Sequence, residues 1–154
     1  MTAAWFFLWG AAAVVQDLRL KKVSVKLLRT GCLGGALLAM LSAFRNGVPS
    51  GTRLLAEVCG VLAGGLLPGV LTAGISRLTD GALGMADAWF VAAAGFCFGA
   101  FRTFWGTVAA VVLAGVFSLA GVAAGKLTRK SRLPFIPFLY AGMAWAVFGG
   151  VRAG

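Results

Sequence analysis

Apolar residues in this chain run in long, nearly uncharged blocks separated by short polar stretches. The blocks are too long for strands and lack the polar alternation of a barrel wall, so they predict helices. Six are expected: Ala3 to Asp17, Leu27 to Phe44, Leu54 to Ile75, a short one from Ala88 to Phe101, Thr103 to Gly125, and Phe135 to Val151. Arg102 alone separates the fourth from the fifth; joined, they would form one helix nearly twice the usual span length. In lipid the backbone must satisfy its own polar groups, which again selects helices. The expected fold class is an all-α polytopic membrane protein of about six transmembrane helices, a single domain over residues 1–154.

Composition agrees with the pattern. The chain is 60% hydrophobic and 12% charged, with a mean hydropathy of +0.95, more apolar surface than a soluble domain of this length could bury. With the N-terminus outside, ten basic residues fall on the cytoplasmic side: Arg19, Lys21, Lys22, Lys26, Arg29, Arg77, Lys126, Arg129, Lys130 and Arg132. Four fall outside: Arg45, Arg53, Arg102 and Arg152. The bias orients the chain N-out. The first block has no basic n-region, so it reads as a span, not a cleaved signal. The net charge of +10 is thereby a topology signal and an attraction for anionic lipid. The basic clusters lack interleaved aromatics that would stack bases, so no nucleic-acid partner is expected.

Cys32, Cys59 and Cys97 stand alone in apolar blocks and the chain has no His. A zinc site or a Cys/His nucleophile is therefore not expected, and the cysteines read as small buried hydrophobes. Gly31, Gly34 and Gly35, and Gly60, Gly64 and Gly65, predict close helix packing. Trp5, Trp9, Trp89, Trp105, Trp145 and Tyr140 read as interface anchors.

Only four carboxylates occur: Asp17, Glu57, Asp80 and Asp87. An ionisable group at membrane depth costs about 2.5–3.5 kcal/mol at a helix centre, so it marks a functional site by default. Asp17 ends the first block and Asp87 precedes the fourth; alternating direction brings both to the cytoplasmic boundary. Structural roles remain open for each. Asp87 could cap a helix beginning at Ala88, and Asp17 could pair with Lys21 at i+4. Asp80, in Thr79-Asp80-Gly81, fits a turn, and Glu57 fits an ion pair with Arg53. The small residues of Gly81 to Ala86 allow close backbone approach beside Asp87. Leu133-Pro134-Phe135-Ile136-Pro137-Phe138-Leu139 opens the last block, with prolines suited to a helix start and an apolar lining.

Three segments together resemble the prepilin peptidases, membrane aspartyl proteases of the GxGD type. They are Asp17-Leu18-Arg19-Leu20-Lys21-Lys22-Val23-Ser24-Val25, Gly84-Met85-Ala86-Asp87, and Pro134 to Leu139. They occur in order over almost the whole chain. Ala86 stands where the family usually has Gly; if that position needed positive φ, the methyl would cost about 1 kcal/mol. Val23-Ser24-Val25 replaces the family's Ile-Pro-Asn-like turn. The cysteine-bound zinc loop and methyltransferase region of larger members are absent from this sequence, so N-methylation of the product is not expected.

The resemblance implies a GxGD aspartyl protease-like bundle in a prokaryotic inner or plasma membrane. It implies endopeptidase cleavage of type IV pilin-like prepilin leaders on the cytoplasmic side. Asp17 and Asp87 would be catalytic, and Gly84, Met85, Ala86, Pro134, Phe135, Pro137 and Phe138 would line the substrate. No metal or organic cofactor is required. The rival readings are a catalytically inactive pilus-assembly scaffold and a small ion- or proton-coupled transporter.

Overall fold

The computed structural model describes residues 1–20, 23–45, 51–78, 84–125 and 134–149, without the side chains of Ala43 and Arg53. The described residues are all-helical: α1 (Thr2–Leu20), α2 (Val25–Arg45), α3 (Gly51–Leu78), α4 (Met85–Phe98), α5 (Ala100–Ala123) and α6 (Ile136–Phe148).

The expected break at Arg102 lies three residues earlier. Two helices, Met85–Phe98 and Ala100–Ala123, join at Gly99, whose φ 80 and ψ 166 lie outside the helical region. Positive φ is open to glycine at little cost, whereas the charge at Arg102 imposes no backbone geometry.

Contacts fix how the helices run. Down α1, Phe6 meets Phe98 at 4.9 Å and Trp9 stacks on Phe90 at 5.3 Å, so α4 runs opposite to α1. Tyr140 of α6 donates from its hydroxyl to the Phe7 carbonyl at 3.2 Å, and Phe148 stacks on Phe7 at 5.2 Å. Gly106 of α5 lies against Gly142 and Met143 of α6, and Phe117 meets Phe138 at 5.5 Å, so α5 and α6 are antiparallel. With α6 also opposite to α1, the chain reverses direction at the single residue Gly99. Gly64, Gly65 and Gly69 of α3 meet Gly95, Phe96 and Ala92 in turn, making α3 and α4 antiparallel. The six helices therefore alternate in direction. The C-terminal ends of α1, α3 and α5 share one face of the bundle with the N-terminal ends of α2, α4 and α6.

The core is aromatic and small-residue packing around α4. Phe6, Phe90, Val91, Ala93, Ala94, Ile136, Leu139 and Met143 are fully buried. The expected glycine seams are present at Gly31, which leaves room for the Trp9 ring, at Gly34 for Trp5, and at Gly64 and Gly95, whose backbones touch. Pro68 in α3 has no N–H to offer the Gly64 carbonyl, and that carbonyl instead faces Gly95. Gly60 departs from the expectation: a Cβ there would meet nothing within 4 Å.

Two further readings need correction. Trp9 is buried in the core, not placed at an interface, and its indole N–H donates to the Leu27 carbonyl at 2.8 Å. Buried indole nitrogen needs such a partner. Cys32 is buried as expected, but Cys59 is exposed on α3.

Three helices are long and apolar enough to cross a membrane: Val25–Ser42, Leu54–Leu78 and Ala100–Ala123. Only 11% of the second and of the third is buried by protein, which leaves their leucine, valine and phenylalanine side chains outward. α4 and α6 are apolar but shorter. A 13-residue α6 covers about 20 Å at 1.5 Å per residue, less than the hydrocarbon thickness of about 30 Å.

Candidate functional site

The alternation of helix directions carries Asp17 and Asp87 to the same end of the bundle. Asp17 sits in the last turn of α1, on the buried stripe that also holds Phe6, Trp9, Gly10 and Ala13. Asp87 sits in the first turn of α4. They are 9% and 7% exposed, close to the limit for ionisable side chains in a protein interior. The two carboxyls lie within electrostatic reach of each other. Neither has a salt-bridge partner among the described residues.

Among the described residues each carboxyl has one backbone donor. The N–H of Gly84 donates to Asp87 Oδ2 at 3.0 Å. Asp87 thus caps its helix, but from the third helical position: the helix begins at Met85, three residues before the expected Ala88. A Cβ at Gly84 would stand 3.3 Å from Asp87 Oδ2, a tight approach. The donor to Asp17 is the backbone N–H of Ile136, the first residue of α6. Pro134 and Pro137 carry no N–H, and the Phe138 N–H is bonded to the Phe135 carbonyl at 3.0 Å. At this helix start the Ile136 amide is the donor turned to the carboxyl. Asp17 Oδ2 is buried with no hydrogen-bond partner among the described residues. Buried polar atoms of this kind are uncommon and call for a physical explanation.

The remaining expected site residues surround the pair unevenly. Gly84 and Met85 are exposed and Ala86 is half-buried. Met85 and Ala86 belong to the first turn of α4, not to a loop. Ala86 therefore has a helical backbone, and the expected strain of its methyl does not arise. Pro134, Phe135, Pro137 and Phe138 are half-buried. Phe138 packs on Phe117, and Phe135 packs against the core. Pro134 and Phe135 precede the helix and Pro137 lies in its first turn.

Sequence reasoning missed the Ile136 amide. A backbone donor leaves no side-chain signature, although the two prolines flanking the Phe135 and Ile136 amides were visible. It also missed the Trp9 bond to Leu27, which ties α1 to α2 beside the pair. The Gln16 side chain adds a second tie, accepting from the Ser24 N–H at 3.1 Å. Asp80 and Lys21, named as a turn former and a partner for Asp17, lie outside the described residues, as does the Arg53 side chain expected beside Glu57. Glu57 is exposed at the opposite end of the bundle. No group of three or more metal-ligating side chains occurs among the described residues. The chain matches no known family, no characterised protein and no solved structure.

Proposed function

We propose that this protein is a membrane aspartyl endopeptidase that removes the leader of type IV pilin-like prepilins. The observation that carries the reading is the pair itself. Two buried carboxyls, from helices of opposite direction, share one end of the bundle, with Asp17 Oδ2 left without a hydrogen-bond partner among the described residues. The positive-inside bias makes that end cytoplasmic, and the resemblance to prepilin peptidases implies the inner or plasma membrane of a prokaryote. Anionic lipid would gather at the same basic face.

The chemistry follows from proximity. Two close carboxylates do not both ionise cheaply, so they hold one proton between them. The ionised member takes a proton from water, which attacks the scissile carbonyl; the protonated member hydrogen-bonds the developing oxyanion. Met85, exposed at the mouth of the site, and the half-buried Pro134, Phe135 and Pro137 provide an apolar margin for the hydrophobic side of a leader.

The test is prepilin processing in membranes carrying Asp17→Asn or Asp87→Asn. Loss of at least about 100-fold in cleavage is expected from removal of an acid–base group; undiminished cleavage in either variant sinks the reading. One observation favours a rival: Asp87 is already engaged as a helix cap. A scaffold without catalysis uses Asp87 only in that way, and predicts pilin binding that survives loss of both aspartates.

A further inference from the structure

The two carboxyls are not equivalent, because they sit at opposite poles of their helices. Asp87 is in the first turn of α4. There the partial positive charge of the helix N-terminus, about half an elementary charge, favours an anion. The Gly84 N–H reinforces it by donating to Oδ2. Asp17 is in the last turn of α1, three residues before Leu20. The negative pole of that helix opposes an anion. The start of α6 offsets this in part through the Ile136 N–H. One oxygen of Asp17, Oδ2, is nonetheless shut from solvent with no donor among the described residues. A buried carboxylate oxygen without a donor loses its hydration and gets nothing back, whereas a protonated one keeps its proton as a donor for a neighbour.

We propose that Asp17 carries the shared proton, on Oδ2, and that Asp87 is the ionised base. This rests on the peptidase reading for its catalytic meaning, but the protonation pattern belongs to the resting protein. In the reaction, Asp87 takes a proton from water while the water oxygen bonds to the scissile carbonyl carbon. The Asp17 proton passes to the carbonyl oxygen, giving a neutral gem-diol. As the C–N bond breaks, Asp87 gives its proton to the leaving amine and a gem-diol hydroxyl returns one to Asp17. Both aspartates end as they began, and no other reactant is consumed.

The experiment is carbon NMR of the full-length protein in lipid nanodiscs at neutral pH, with carboxyl-labelled aspartate. In an Asp80→Asn background only Asp17 and Asp87 are labelled, so either further substitution assigns both signals. One protonated and one ionised carboxyl are expected. The protonated signal should vanish in Asp17→Asn and persist in Asp87→Asn. If one of these fails to fold, the other completes the assignment. A protonated signal assigned to Asp87, or two ionised carboxyls, overturns the proposal. The spectrum is read without substrate, so it can fail while prepilin cleavage is intact. It can also hold in a protein that cleaves nothing.

Discussion

α3 and α4 lie against each other, are both apolar and glycine-bearing, and serve opposite ends. α3 turns Leu55, Leu66, Leu67, Val70, Leu71 and Leu78 outward. α4 encloses Phe90, Val91, Ala93 and Ala94 almost completely. Hydrophobicity alone does not separate a helix that faces lipid from one that faces protein. Residue size at the contacts does. α4 presents small side chains over its middle and so can be approached from several sides, while α3 gathers Gly64, Gly65 and Gly69 into one seam and turns its leucines outward. The helix that can be surrounded is the one that holds a buried carboxylate.

The largest effect expected from breaking this contrast is at Gly95. In Gly95→Val the side chain would meet the Gly64 carbonyl, which is backbone and cannot step aside. Overpacking costs about 1–3 kcal/mol or more, visible as a lowered thermal midpoint in detergent or nanodiscs, with separation of α3 from α4. Next comes Trp9→Phe, which keeps most of the ring but leaves the Leu27 carbonyl without the indole donor. A loss of about 0.5–1.5 kcal/mol is expected by the same measurement. Gly60→Ala should move the other way. Its added methyl meets nothing, and alanine is favoured over glycine inside a helix by about 0.5–1 kcal/mol. A destabilised Gly60→Ala would mean that the outward face of α3 is packed against something. Smallest is Leu71→Ala, on a side chain 63% exposed, with a change within about 0.5 kcal/mol.

Much of this arrangement was legible in the chain. Block lengths gave the helices, and alternation alone brought Asp17 and Asp87 together, because a helix has only two ends. The glycine spacings at Gly31 and Gly64 signalled close contacts. What escaped was set by partners distant in sequence. Trp9 resembles an interface anchor until the Leu27 carbonyl and the cleft at Gly31 are seen beside it. The Ile136 amide could not be matched to Asp17, since every residue but proline carries such a donor. Arg102 drew the break toward itself because charge is conspicuous in an apolar run, whereas the reversal needed only a residue free to take φ 80. The three helices long enough to span a membrane follow from composition, but how deeply the shorter α4 and α6 sit depends on their neighbours.

The reversal at Gly99 has a consequence for how the protein can be made and handled. Two helices joined by one residue leave no slack in which to place a tag or a cut. Residues 98–100 should refuse insertions that the polar connections at the opposite end accept. α4 and α5 then move as one hairpin, with Asp87 at its open end, on the face that also holds the C-terminal end of α5.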